Sequence, residues 1–351
     1  MLKYNDCLLQ LRKRKSEVNP DGLDIIIKNV PESKEPGTLD PRQVLWTKLC
    51  MEASPVHIRD IKNPTYLEID AVRKSMGCKN KDLSKNVSVK KTIIDGVDVE
   101  VYRPANCEKK CPVTIYIHGG GFIGGSIDVV RNSCKLLAER ASSVVISVDY
   151  KLAPENIFPY ALNQCYKVIE WVYSNGEGFG IDSSKIIVAG DSAGGNLAAA
   201  CCLKDEKKMI SLQILLYPVV NLNPYDPDWT EDVYCVKDEP EIARQMIYDI
   251  KSILELCSNT YVEDPLCFKN PLASPYFAEK PSVFPTTFIV SPEYDYLRRQ
   301  AELFSSLLSE NGVDVVLFRY KGMAHAFFEH PGEFPQAEDC INEIASAIMA
   351  L

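Results

Sequence analysis

The chain has 351 residues, of which 46% are hydrophobic and 25% charged, the ordinary composition of a folded globular protein. Its formal net charge is −9, and it has no sustained basic stripe of the kind that binds phosphate backbones, so we expect no nucleic-acid partner. No apolar run reaches the length of a membrane span, so we expect no membrane-spanning segment.

The cysteines favour a reducing compartment. There are 13 of them, an odd number, scattered along the chain without a C-x-x-C pair. This pattern is typical of reduced thiols that serve as small core residues. The first residues also lack the apolar stretch of a signal peptide. We therefore expect a cytoplasmic protein.

The N-terminal region divides into two segments. Residues 1–37 form an extension to which the sequence assigns no role. Its basic run at 12–15 is interpreted as a solvated face, and a targeting or membrane-binding patch is the alternative. Residues 38–84 contain two short amphipathic helix candidates. Their apolar faces need a surface to cover, which is either the protein core or a substrate cleft. We predict that they are N-terminal cap helices.

Residues 85–351 are predicted to form the main domain of the chain. Two period-two runs flank Asp95 and Gly96, a strong hairpin signal. Six further apolar runs follow, with helical patterns between several of them, which predicts a mostly parallel sheet covered by helices on both faces. The eight strand candidates are 87–94, 97–102, 113–117, 144–148, 186–189, 212–217, 286–290 and 313–318.

One interval, residues 218–285, contains no strand candidate and is too long for a plain loop in a compact domain. It has aromatic and proline-rich pieces and a helix candidate at 239–256. We predict an insertion that folds back with residues 38–84 to form a helical cap over the active site.

The most informative stretch is Gly190-Asp191-Ser192-Ala193-Gly194, which lies between an apolar strand candidate and an apolar helix candidate. G-x-S-x-G at such a junction forces a tight turn that holds the serine hydroxyl above the sheet. The N–H of Ala193 then points to where an oxyanion would form. Taken alone, the pattern also fits an ordinary glycine-rich turn.

A second glycine-rich stretch, residues 118–125, follows a strand candidate and has two interpretations. Its G-x-G-x-x-G spacing fits the dinucleotide site of a nicotinamide oxidoreductase, but Asp149 lies about 30 residues after Gly119, against about 20 in that fingerprint. The alternative is an esterase oxyanion loop, in which the N–H groups of Gly119 and Gly120 act beside Ala193. Only this interpretation also explains the serine motif.

A serine nucleophile needs a base and an orienting acid. His325 follows the last strand candidate, and loops after parallel strands gather at one edge of the sheet. The preceding strand candidate leads into Glu293 and Asp295, both possible acids, although Asp295 also suits a helix N-cap. The remaining histidines are expected in the cap, in the glycine loop and at the surface: His57, His118 and His330.

Together these blocks resemble the hormone-sensitive-lipase-like esterases, the GDSAG branch of the α/β-hydrolases, from about residue 40 to the C-terminus. The matching blocks are H-G-G-G-F from His118, D-Y-K-L-A-P-E from Asp149, F-P at 158–159, G-D-S-A-G-G from Gly190, S-P at 274–275, E-Y-D-Y-L-R from Glu293 and G-M-A-H ending at His325. The resemblance implies an α/β-hydrolase fold and the following site: Ser192 as nucleophile, His325 as base, Asp295 as acid, and Gly119, Gly120 and Ala193 as oxyanion donors.

The resemblance also implies a function. It points to a serine carboxylesterase that hydrolyses short-to-medium acyl esters through an acyl-enzyme, with a small-molecule ester as its partner and no metal or cofactor. An aryl-amide deacetylase and a non-catalytic receptor-like binding protein, both known in the family, are the alternatives. We expect a homodimer to be possible, because the last strand of the sheet would be exposed at its edge.

Overall fold

The computed structural model describes residues 1–18, 22–53, 65–77, 80–107, 110–224 and 230–351. The strands are β1 (Lys15–Val18), β2 (Asp24–Lys28), β3 (Val87–Ile94), β4 (Val97–Pro104), β5 (Cys111–Ile117), β6 (Val144–Val148), β7 (Ile181–Asp191), β8 (Ile210–Leu216), β9 (Thr286–Tyr294) and β10 (Val315–Ala324). The α-helices are α1 (Tyr4–Leu11), α2 (Pro41–Ala53), α3 (Tyr66–Ser75), α4 (Ile127–Ala141), α5 (Tyr160–Asn175), α6 (Ala193–Lys204), α7 (Pro240–Tyr261), α8 (Arg298–Glu310) and α9 (Pro335–Met349).

The strands form one sheet in the order β1-β2-β10-β9-β8-β7-β5-β6-β4-β3. In this spatial order, all neighbouring strands from β2 across to β6 are parallel. Strands β3 and β4 form the antiparallel hairpin at one edge. The predicted α/β class and mostly parallel sheet are confirmed. The predicted count of eight strands is wrong, because two strands from the N-terminal extension join the other edge.

Helices cover both faces of this sheet. Helices α4 and α9 pack on one face, while α5, α6 and α8 pack on the other. Every residue of β6 is buried, as is typical of a strand covered on two sides. The apolar composition of the central strands is therefore explained by burial on both faces. None of the helices in the described part of the chain is long and apolar enough to cross a membrane.

The N-terminal extension is anchored to the body of the protein. Strand β2 pairs in parallel with β10, and β1 pairs antiparallel with β2. The fully buried Lys28 ammonium contacts Asp339 Oδ2 at 2.8 Å and Glu343 Oε1 at 2.6 Å, both on α9. Since β2 covers β10, the last strand is not at the edge of the sheet, and the argument that suggested a homodimer does not hold.

The predicted cap segments lie near each other in the fold. Helix α7, from the insertion, contacts α2 through a Thr47 Oγ1–Met246 Sδ hydrogen bond of 3.2 Å. Lys48 and Glu239 form an ion pair of 2.9 Å between the same two segments. Helix α3 buries Ile69 and Val72. His57, which was expected in the cap, lies outside the described residues.

The cysteines differ from expectation at one place. Cys107, which follows β4, and Cys111, the first residue of β5, form a disulfide, and their Cα atoms lie 5.8 Å apart. The expectation of uniformly reduced thiols is therefore wrong for this pair. The other ten cysteines of the described ranges are free.

Candidate active site

The serine motif forms a sharp turn between β7 and α6. Ser192 has φ 55° and ψ −117°, a backbone conformation that side chains rarely adopt and that marks a strained functional turn. The turn is held by the end of β8 and the segment after it, since Ser192 N donates to Leu216 O at 2.9 Å and Val219 N donates to Ser192 O at 3.1 Å. The strand-to-helix geometry expected for G-x-S-x-G is present.

The two flanking glycines are needed because the turn packs against backbone. A Cβ on Gly190 would lie 2.3 Å from Gly194 O, and a Cβ on Gly194 would lie 1.9 Å from Ile117 O. Neither oxygen belongs to a flexible side chain, so neither site can accept a methyl group without moving a central strand or the turn itself.

We expect Gly194→Ala to lower the free energy of unfolding by at least about 3 kcal/mol, because the new methyl group overlaps a carbonyl of β5. Denaturant unfolding measures this loss. Gly178→Ala is the matched control: apart from its chain neighbours, no atom of the described residues lies within 4 Å of its added Cβ, and the change should stay within about 0.5 kcal/mol. Equal stability of the two variants would contradict the described packing of the turn.

Ser192, His325 and Asp295 form a continuous chain of hydrogen bonds. Ser192 Oγ lies 2.9 Å from His325 Nε2, and His325 Nδ1 lies 2.7 Å from Asp295 Oδ2. Asp295 is fully buried, and its other oxygen accepts the Leu297 N–H at 2.8 Å. Tyr217 packs edge-on against the imidazole at 4.7 Å. The three predicted residues therefore come together in the geometry of a nucleophile, a base and an orienting carboxylate.

Glu293, the alternative acid, has a different position. Its carboxylate accepts the N–H of Gly322 at 2.9 Å, and the residue is buried. Burial raises the pKa of Glu293. Glu293 thus holds the loop that carries His325, whereas Asp295 contacts the imidazole itself.

The sequence did not reveal what else holds this histidine loop. Gly322 O accepts the N–H of Asp40 at 3.0 Å, and Ala324 N donates to Gln43 Oε1 at 3.3 Å. Both partners lie at the start of α2, almost 300 residues earlier in the chain. The only sequence signal was the predicted helix start near residue 40, which does not show what that helix contacts.

The glycine loop differs from expectation in one donor. Gly119 N donates to Asp191 Oδ1 at 3.0 Å, and Tyr116 Oη donates to the same oxygen at 2.9 Å. The N–H of Gly119 is therefore occupied and does not face a developing oxyanion. The N–H groups of Gly120, Gly121 and Ala193 donate to no other group among the residues that the structure describes.

Asp191, for which the sequence predicted no role, immediately precedes Ser192 and is fully buried. Burial raises its pKa to about 6 despite the hydrogen bonds from Tyr116 and Gly119. Its Oδ2 has no hydrogen-bond partner in the described part of the chain. Asp191 therefore ties the glycine loop to the serine turn, at the energetic cost of a buried carboxyl group.

Two other histidines have structural positions. His118 is buried, its Nδ1 donates to Gly119 O at 2.8 Å, and Tyr150 stacks on it at 4.3 Å. Burial lowers the pKa of His118 to about 4, so it is neutral and orders the loop, as expected. The expectation that His330 lies at the surface is wrong: it is 4% exposed, because Trp46 and Phe334 pack against its ring.

A cavity of about 260 Å³ opens above Ser192 and His325. The glycine loop forms its floor, and α2, α4 and α7 supply mainly apolar walls. The dinucleotide interpretation of the glycine run is not favoured, because α4 begins at Ile127, after the last glycine instead of between them. The cavity can hold an acyl or alcohol group beside the serine.

The chain is similar to known proteins. A family model described as the alpha/beta hydrolase fold matches residues 114–329, from β5 to just beyond the histidine loop. The arylesterase of Saccharolobus solfataricus is 36% identical over 221 residues, which cover 62% of this chain and 69% of that protein. The esterase LipI of Mycobacterium tuberculosis is 32% identical over 260 residues, which cover 71% of this chain and 78% of that protein.

Solved structures agree in fold. A hyperthermophilic esterase from Pyrobaculum calidifontis superposes with a TM-score of 0.71 at 30% sequence identity, covering 89% of this chain and 98% of that chain. The family match spans the serine turn, the glycine loop and the histidine loop described above. The chain therefore belongs to the α/β-hydrolase fold family, within its hormone-sensitive-lipase-like carboxylesterase group.

Proposed function

We propose that this protein is a serine carboxylesterase that works through an acyl-enzyme. The observation that carries the proposal is the hydrogen-bonded chain from Ser192 Oγ through His325 to the buried Asp295. Ser192 attacks the ester carbonyl while His325 Nε2 takes the hydroxyl proton. His325 then delivers that proton to the leaving alcohol, and water repeats the sequence to release the acid.

Asp295 keeps the imidazole in the tautomer that the reaction needs. With Nδ1 donating its hydrogen to the carboxylate, Nε2 is left as the acceptor for the serine proton. The carboxylate also stabilises the imidazolium that forms in the transition state. The N–H of Leu297 fixes the second carboxylate oxygen, so the acid is held in one orientation.

The oxyanion formed in the tetrahedral intermediate is stabilised by backbone N–H groups of Gly120 and Ala193, with Gly121 in place of the originally expected Gly119. The occupied N–H of Gly119 supports this revision. Its bond to Asp191 holds the loop before substrate arrives, so little reorganisation is needed during the reaction. Each such donor is worth roughly 3–4 kcal/mol of barrier.

The substrates are short-to-medium acyl esters. A cavity of about 260 Å³ with mainly apolar walls supports a group of that size on one side of the ester. The names of the arylesterase and esterase relatives support ester hydrolysis over the aryl-amide alternative. The intact hydrogen-bonded chain to Ser192 disfavours a receptor without catalysis.

The experiment that tests this function is hydrolysis of p-nitrophenyl esters from acetyl to long acyl chains. We expect turnover that is greatest for short-to-medium chains and falls for long ones, because the cavity has a volume of only about 260 Å³. Exhaustive chelation of metals should leave the rate unchanged. A well-folded protein with no turnover across the series would favour the binding-protein alternative.

We further propose that residues 38–84 and 218–285 act together as the cap of a catalytic domain comprising residues 85–351. The contacts between α2 and α7, including the Thr47–Met246 and Lys48–Glu239 pairs, support this division. Residues 1–37 then serve as a separate extension that completes the edge of the sheet.

We also propose a cytoplasmic location. The ten free cysteines, most of them buried, support a reducing environment. The bond between Cys107 and Cys111 is the one feature that points the other way.

A further inference from the structure

The glycine loop, which carries two of the proposed oxyanion donors, has an unusual backbone. Three consecutive residues have positive φ, with values of 117° at Gly120, 61° at Gly121 and 64° at Phe122. This region is costly for a residue that has a side chain, and it persists only where the surrounding structure holds it. Within the loop, Gly120 O accepts the N–H of Ile123 at 3.2 Å and that of Gly124 at 2.8 Å. The shape of the loop therefore depends on its neighbours.

One of these neighbours is Arg73, on helix α3 of the proposed cap. Its guanidinium donates through Nε to Ile123 O and through Nη2 to Ala153 O, the second at 2.8 Å. Ala153 N donates in turn to Phe122 O at 2.9 Å. Arg73 thus bonds the backbone of the glycine loop and also bonds the segment to which that loop is attached.

Glu155 fixes the orientation of this guanidinium. Arg73 Nη1 donates to one carboxylate oxygen at 2.9 Å, and Nη2 donates to the other at 2.7 Å. A pair joined at two points holds the planar group in one orientation. The hydrogen bond from Arg73 lowers the pKa of Glu155, so the carboxylate is charged at neutral pH. The donors of Arg73 are therefore directed at the two backbone carbonyls before substrate arrives.

Helix α7 packs on the same loop by apolar contacts. A Cβ on Gly121 would lie 2.2 Å from Cys257 Sγ, and the ring of Tyr261 stacks on that of Phe122 at 3.9 Å. These contacts limit the space available to the loop but do not bond its backbone. The hydrogen bonds of Arg73 supply the direction that such packing lacks.

We infer that Arg73 is a positioning residue, which keeps the N–H groups of Gly120 and Gly121 directed at the oxyanion by holding Ile123 O and Ala153 O. The inference rests on the proposed esterase function and adds a residue to it. Arg73 does not belong to the described lining of the cavity, so it acts through the loop and not on the substrate. Its effect should therefore appear where negative charge develops on the carbonyl oxygen, and not in binding of the uncharged ester.

The first test measures kcat/KM for p-nitrophenyl butyrate in Arg73→Gln and in Lys74→Gln. Arg73→Gln should lower kcat/KM by about tenfold or more, because displaced donors stabilise the transition state less. Lys74→Gln is the matched control: it removes the same charge from the next residue of the helix, and Lys74 pairs with Asp70 of α3 itself at 2.6 Å. Its kcat/KM should stay unchanged. No loss in Arg73→Gln, or equal losses in both variants, would overturn the inference.

The second test separates positioning from general damage to the site. Ser192 Oγ adds to the carbonyl carbon of 1,1,1-trifluorohexan-2-one, His325 takes the hydroxyl proton, and the carbonyl oxygen becomes an anion. Hexan-2-one has nearly the same shape but is far less reactive, so it binds mainly as the ketone. Arg73→Gln should weaken binding of the trifluoro ketone by about tenfold or more and that of hexan-2-one by less than about twofold. Equal weakening of the two ketones would show a merely structural role and refute the inference.

Arg73→Lys gives a second variant with which to measure the same two affinities. Lysine keeps the charge and a long side chain, but a single ammonium replaces the planar fork that contacts Ile123 O, Ala153 O and Glu155 together. We expect a selective loss of trifluoro ketone affinity of about threefold or more. If Arg73→Gln fails to fold, this variant decides, and an unchanged ratio of the two affinities would contradict the inference.

Amide hydrogen exchange keeps the inference separate from the proposed reaction, because it needs no turnover. A peptide spanning residues 118–125 should exchange about tenfold faster in Arg73→Gln than in Lys74→Gln, since a contact that holds the loop is lost. Equal exchange in the two variants would refute the positioning role. Absence of Ser192-dependent hydrolysis in the wild type, with faster loop exchange in Arg73→Gln, would count against the proposed function alone.

Discussion

Replacing Ser192 by alanine should lower kcat for p-nitrophenyl acetate by roughly 10⁵- to 10⁶-fold. The hydroxyl lies 2.9 Å from the imidazole that would remove its proton, which places it to attack the ester carbonyl. The expected remainder is the modest acceleration supplied by the oxyanion donors and by binding. Steady-state kinetics of purified wild type and variant, with burst-phase detection of the acyl-enzyme in the wild type, measure the effect.

The Ser192→Ala variant should stay folded. The side chain removed is small, and in the described structure it bonds only to His325, so the midpoint of denaturant unfolding should change little. Unchanged unfolding with lost turnover therefore identifies a chemical role. Turnover within tenfold of the wild type would reject the acyl-enzyme scheme altogether.

Asp295→Asn should lower kcat by about 10⁴-fold. The asparagine amide can donate to His325 Nδ1, which leaves the ring hydrogen on Nε2, where it faces Ser192. The serine then has no acceptor for its proton, even though the geometry of the three side chains is nearly unchanged. The measurement compares kcat of the two proteins at the plateau of their pH profiles, where a shift in the pKa of the histidine no longer affects the rate.

Glu293→Gln is the control for this prediction. It removes a buried carboxylate two residues away that contacts the histidine loop through Gly322 N but does not touch the imidazole. An amide oxygen can still accept that N–H, so we expect less than a tenfold loss of kcat. A large loss in Glu293→Gln with a small loss in Asp295→Asn would show that Glu293 is the catalytic acid.

Part of this site could be predicted because its chemistry is local. The residues of the Ser192 turn lie within five positions of one another, and the strand and helix that flank them are recognisable from apolar runs alone. Asp295 and His325 followed from a simple geometric rule, since loops after parallel strands meet at one edge of the sheet. The choice between Asp295 and Glu293 was left open by the residues and was decided at that stage by family resemblance.

Other features depended on contacts that a local pattern does not encode. Strands β1 and β2 have only four and five residues, and their place in the sheet comes from pairing of β2 with β10, nearly 300 residues away. The burial of His330 comes from Trp46 on a distant helix.

The sequence by itself determined the class of the fold, the edge of the sheet that carries the site, and two members of the hydrogen-bonded chain, Ser192 and His325. It did so because hydrophobic periodicity and turn chemistry act over a few residues. Only the tertiary structure showed that one N–H of the glycine loop is already occupied and what occupies it. Asp191 occupies the N–H of Gly119 across 72 positions, and that contact exists only once β5 and β7 lie side by side.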